Sequence, residues 1–150
     1  MGFNISADAK RYFNKLDQDS KLVKLETMFD FYYFCLLIGF TNGKLSDGQS
    51  EEFLKSFPIS YKLHSKEIIA ALISAEIARR GINIEDRTRV QELILTLINP
   101  ESPTNLSTNG ETLMNKYAGG GFLIINDKFG QSHDVDTFLI RYNDELIANH

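Results

Sequence analysis

Apolar side chains along most of this chain recur at intervals of three and four residues, the spacing that puts them on one side of an α-helix. Ser6 offers an N-cap for a first helix, with Tyr12, Phe13 and Leu16 as its inner positions. Asp17-Gln18-Asp19-Ser20 interrupts that pattern and offers a fresh cap. From Lys21 the period resumes through Leu22, Leu25, Met28, Phe29, Tyr32, Leu36 and Phe40, and between Phe31 and Ile38 every position is apolar or aromatic. A helix that is apolar all round must be covered all round. This segment is therefore predicted to be the central helix, ending at Thr41-Asn42-Gly43, where Asn and Gly tolerate left-handed backbone angles.

Further along, Ser50 is predicted to cap a short helix carrying Phe53, Leu54 and Phe57, terminated by Pro58. Ser65 is predicted to cap a longer helix to Arg80, with Ile68, Ile69, Leu72, Ile73 and Ile77 along it and Gly81 as its stop. Another runs from about Glu85 to Ile98, closed by Pro100. Residues 99–109 read as a loop, either ordered by a partner or mobile. Gly110 to Ala118 is helical in pattern and leads into Gly119-Gly120-Gly121 and the run Phe122-Leu123-Ile124-Ile125. That run suits a strand or a continued helix. Its helical surroundings favour the helix, with glycines letting it approach a neighbour closely. Asp134 caps a last helix bearing Val135, Phe138, Leu139, Tyr142, Leu146 and Ile147. The expected fold is all-α, a single helical domain over 1–150. It is a compact bundle of six or seven helices around a central hydrophobic helix near 21–40, with strands minor or absent.

The chain has 150 residues, a formal charge of −4 and a single cysteine, Cys35. The acidic balance disfavours a surface wholly given to nucleic acid. One cysteine excludes an internal disulfide and a Cys-rich zinc site, and Cys35 inside an apolar run reads as a small buried hydrophobe. The longest apolar stretch, 31–40, is about half of a membrane span, and no basic-then-apolar leader is visible. No membrane partner is expected, and the cytoplasm is the expected compartment.

Candidate chemistry narrows quickly. The triple glycine is not followed by the Gly-Lys-Ser/Thr of a phosphate loop, and Lys116 lies on its wrong side. His64, His133 and His150 form no zinc-binding pair. Asp127, His133, Asp134 and Asp136 could offer oxygen and imidazole ligands to a metal, but an acidic loop with an N-cap is the favoured explanation, so no metal, cofactor or catalytic residue is assigned. Glu76 stands on a largely apolar helix, where a carboxylate acquires either a raised pKa or an arginine partner; Arg79 and Arg80 follow at three and four residues. Lys62, Lys66, Arg79, Arg80, Arg87 and Arg89 lie on two consecutive helices and would make a nucleic-acid surface if they converged.

One feature remains. Phe29, Phe31, Tyr32, Tyr33, Phe34 and Phe40 occupy more of one helix's circumference than a single core stripe needs, and the first five are the candidate partner-binding residues. Aromatic surface left over after folding marks contact with another chain. An acidic C-terminal segment offers a second, weaker surface for a basic partner. The expected function is accordingly that of a non-enzymatic adaptor or accessory subunit, binding a protein partner or forming a homo-oligomer. The richness in Ile, Asn and Lys suggests an AT-rich bacterial or phage genome, and with it a multi-protein DNA-processing or phage-defence assembly. The alternatives are nucleic-acid binding through residues 62–89, and an enzyme using Glu76 or the 127–136 loop.

Overall fold

In a computed structural model describing residues 2–20, 24–130 and 134–147, the chain forms seven α-helices and one two-stranded sheet. The order is β1 (Phe3–Ile5), α1 (Ala7–Asp19), α2 (Met28–Asn42), β2 (Glu51–Leu54), α3 (Ile59–Lys62), α4 (Ser65–Arg80), α5 (Arg87–Leu97), α6 (Thr108–Phe129) and α7 (Val135–Arg141). A wider π-helical turn, Tyr142–Ile147, continues α7. The fold is predominantly all-α, as the periodicity predicts.

Helix α2 is the centre. Phe29, Phe31, Tyr32, Cys35, Leu36 and Ile38 are all buried, and α1, α4 and α6 pack around it. It starts later than the apolar pattern suggests, because Thr27 and Asp30 form a reciprocal capping box that seats its first turn. Leu22, which the pattern assigned to this helix, lies outside the described residues. Ser20 does not cap α2. Its hydroxyl donates to the Leu16 carbonyl (2.6 Å) and accepts the Val135 N–H (2.8 Å), tying the end of α1 to the start of α7. Ser65 is the first residue of α4 and not its cap, because its hydroxyl turns back to donate to the Lys62 carbonyl (2.9 Å). The ends of α2 and α4 fall at Gly43 and Gly81, both with left-handed φ (59° and 66°).

The segment after Ser50 is a strand, not the expected helix. Glu51–Leu54 pairs antiparallel with Phe3–Ile5, whose other edge is held by Asn115: its Oδ1 accepts the Asn4 N–H and its amide donates to the Gly2 carbonyl. Phe57 still reaches the core, packing against Phe3 with ring centres 4.8 Å apart. The loop at 99–109 is held by the chain itself. Ile98 bridges Leu106, both Thr104 and Leu106 are fully buried, and the Thr104 hydroxyl donates to Glu111 (2.9 Å).

Helix α6 runs unbroken through the glycines, in the close packing expected of them. A Cβ on Gly121 would lie on the carbonyl of Cys35, and one on Gly39 would lie on the carbonyl of Tyr117. The small residues thus let the α2 and α6 backbones touch, which larger side chains would forbid.

Tyrosines supply much of the remaining core. Burial is the main reason that Tyr12 is pushed up to about 12 and that Tyr32, Tyr61, Tyr117 and Tyr142 are also pushed well up. A phenol whose pKa rises on folding stabilises the fold fully below its ordinary value of 10.0 and loses that contribution as pH climbs towards the folded value. Phenolate absorbance of the native chain should therefore lag behind that of the denatured chain above pH 10, then rise together with cooperative loss of helix. Ordinary titration of all the tyrosines near pH 10 with the fold intact would contradict the packing.

Candidate functional site

The exposed apolar surface that stands out is built around α3. Tyr61 turns inward from this short helix: its hydroxyl donates to Asp30 (2.5 Å) and its ring packs on Phe29 and Tyr33 at 4.7 and 5.5 Å. Two residues to either side fall on the opposite face of a helical turn. Ile59 and Leu63 accordingly point into solvent, 86% and 88% exposed. A single exposed aliphatic residue is ordinary, but two large ones on one turn beside an apolar recess are not.

That recess is a groove of about 250 Å³ between α2 and α4. Tyr33, Leu37 and Phe40 line one wall and His64, Glu67, Ile68 and Ala71 the other. The steps of three and four residues place each set on one stripe of its helix. The two helices run in the same direction: Tyr61, just before α4, packs near the start of α2, while Glu76 near the end of α4 meets Tyr117, which packs on Phe40 near the end of α2.

The five aromatics singled out in the sequence divide between interior and surface. Phe29, Phe31 and Tyr32 are at most 1% exposed, so they cannot meet a partner. Phe3, Phe57 and Tyr61 cover Phe29; Tyr12, Phe122 and Phe138 cover Phe31; and Tyr32 donates to Asn115 (2.7 Å). Phe34 is half-buried beneath Phe138 and Tyr142. Tyr33 is the one of these five that lines the groove, together with Phe40, the sixth aromatic of the excess. Sequence reasoning missed Ile59, Leu63 and Leu37 as surface candidates, because apolar spacing does not say which stripe will stay uncovered.

The basic residues do not all converge. Lys66 sits at the opposite end of α4 from Arg79 and Arg80, about 20 Å away at the helical rise per residue, and Lys62 precedes it on α3. Both arginines are committed to Glu76, which is fully buried. Arg79 donates to both of its oxygens (2.6 and 2.9 Å), Arg80 to Oε2 (2.6 Å), and the Tyr117 hydroxyl to Oε1 (2.7 Å). Burial alone would raise this carboxyl, but hydrogen bonds from Arg79, Tyr117 and Arg80 outweigh it and hold the group below its ordinary 4.5. Glu76 is thus an ionised pin between α4 and α6, and a poor general acid. Arg87 and Arg89 are exposed at the start of α5, beside Glu85 and the capping residue Asp86.

The 127–136 acids also stay apart in role. Asp127 is exposed on the last turn of α6 and Asp134 caps α7 through the Thr137 N–H; His133 lies outside the described residues. Among the described residues, no three His, Cys, Asp or Glu side chains are grouped to hold a metal ion. No helix among them is long and apolar enough to cross a membrane.

A larger cavity, about 410 Å³, lies between β1, the start of α1, the 46–50 loop and α6. Its polar rim includes Lys116 paired with Asp47 (3.0 Å), and its floor includes Tyr32 and Cys35. Burial pushes the Cys35 thiol far up, so it stays protonated at neutral pH and cannot act as a thiolate. Asn4 Oδ1 is buried there without a hydrogen-bond partner, but its inaccessibility also hides it from a ligand in the cavity. The volume could hold a small molecule. Comparison of the chain with protein-family models, with curated proteins and with solved structures found no match.

Proposed function

We propose that this chain is a non-enzymatic interaction module that binds another protein chain through the face made by α2, α3 and α4. The observation that carries this reading is the outward pair Ile59 and Leu63 beside the apolar groove. Folding does not use these side chains, and leaving two large aliphatic groups in water gains the free chain nothing. Burying one against a partner contributes about 1.5–3 kcal/mol. Residues of this kind at the centre of a contact act as anchors, with polar neighbours forming the rim. Lys62, Lys66 and Glu67 supply that rim here. The face suits an accessory subunit held within a larger assembly.

The test is affinity capture from native lysate with and without nuclease, comparing the wild type with the double variant Ile59→Glu, Leu63→Glu. Both sites are exposed, so the melting curve should move by no more than the roughly 0.5 kcal/mol typical of surface changes. A protein partner that survives nuclease and is lost with the double variant is the expected result. Capture that vanishes with nuclease, or that ignores the double variant, would sink this assignment of the face.

A further inference from the structure

We infer that the chain bound at this face is a second copy of the same protein, docked about a two-fold axis. This rests on the interaction reading above and names its partner. A two-fold contact uses the same patch on both copies, so the patch must carry both the protruding part and the part that receives it. This one does. Ile59 and Leu63 project from the turn that leads into His64, and His64 is itself part of the groove wall. A cavity of about 150 Å³ already accommodates a benzene-sized group, so the groove of about 250 Å³ admits a leucine or isoleucine side chain from the other copy.

Charge points the same way. Lys62 lies on the projecting turn between Ile59 and Leu63, while Glu67 lines the groove, its side chain 71% exposed and only loosely placed against His64 at 3.7 Å. Inserting the turn of one copy into the groove of the other brings Lys62 of each towards Glu67 of the other. The match is made twice by symmetry. A face carrying only one sign of charge would instead select a partner of the opposite sign. The mixed signs here complement themselves.

The patch is small beside the ~800 Å² per partner of a standard stable interface, so the dimer is expected to form in the micromolar range and to dissociate on dilution. Sedimentation velocity from about 1 to about 300 µM spans that range. The weight-average mass of the wild type should climb from the 17.1 kDa of one chain towards twice that value. The Ile59→Glu, Leu63→Glu double variant should remain at one chain throughout. Leu95→Glu, at a 79% exposed site on α5, should dimerise like the wild type. Lys62→Glu and Glu67→Lys should each weaken association several-fold, and the two together in one chain should restore it. A wild type that stays at one chain across the range overturns the inference. So does association that is indifferent to the double variant. If the wild type is monomeric but the double variant loses a captured protein, only the identity of the partner falls; if association and capture both persist in that variant, the reading of the face falls too.

Discussion

Gly121→Ala should lower the unfolding free energy by about 3 kcal/mol or more, at the upper end of what overpacking costs, while Gly119→Ala, two residues earlier, should change it by less than about 1 kcal/mol. The same methyl group is added to the same helix in both cases. Helix propensity alone favours alanine over glycine by about 1 kcal/mol. What differs is the far side. The new Cβ at 121 would overlap the carbonyl of Cys35, and backbone cannot swing away as a flexible side chain does. At 119 it would meet the Ser46 Cβ at 3.1 Å, in an exposed-to-half-buried loop that can shift by a few tenths of an ångström. Gly120→Ala should resemble 121, because its Cβ would overlap the carbonyl of Lys44. Urea unfolding of the three variants checks the ranking. Equal, mild effects at all three positions would mean that α2 and α6 do not meet backbone to backbone.

Removing the carboxylate of Glu76 should be nearly as damaging. Glu76→Gln retains the shape and one acceptor for Tyr117 but takes away the charge that Arg79 and Arg80 share. Breaking a buried ion pair from the buried side is the costly direction, though arginines 35% and 44% exposed recover part of their hydration. The expected loss is about 2–4 kcal/mol. Tyr117→Phe should cost less, about 1 kcal/mol, as the deletion of one hydrogen bond.

The pH dependence follows from the lowered pKa of Glu76. In the unfolded chain the carboxyl takes up a proton near 4.5, and in the folded chain only at lower pH. Its contribution is therefore complete above 4.5 and is lost as pH falls through the folded value. The gap in stability between wild type and Glu76→Gln should be widest near neutral pH and close on acidification. A gap that stays constant down to acid denaturation would show that the carboxylate is not what pins α4 to α6. The pin also bears on the proposed self-association, since α4 forms one wall of the groove. Glu76→Gln should weaken self-association while leaving Ile59 and Leu63 untouched.

How much of this was legible beforehand depended on whether the deciding interaction was local. Helix ends set by their own residues could be read directly: Ser6 capping α1, Asp134 capping α7, and the glycines at 43 and 81. So could the pairing of Glu76 with Arg79 and Arg80, because spacings of three and four residues bring side chains together on any helix. The uniformly apolar run of α2 announced a buried helix, and the glycines of α6 announced a close approach, without naming the neighbour.

Where the chain needed a distant segment to decide, the pattern misled or fell silent. Phe53, Leu54 and Phe57 fit a short helix by spacing, yet an extended edge at Phe3–Ile5 offers that segment ladder hydrogen bonds, and it became a strand. Residues 99–109 look loose by composition but are closed by the bridge from Ile98 to Leu106 and by Thr104 on Glu111. The aromatic excess of α2 was real as composition, and only packing showed that it is largely spent inside, under Phe3, Tyr12, Phe57 and Phe138. The candidate face itself belongs to tertiary structure alone. An aliphatic residue has the same hydrophobicity wherever it stands. It was the inward anchoring of Tyr61 that turned Ile59 and Leu63 outward, and the packing of α2 and α4 that left a groove between them.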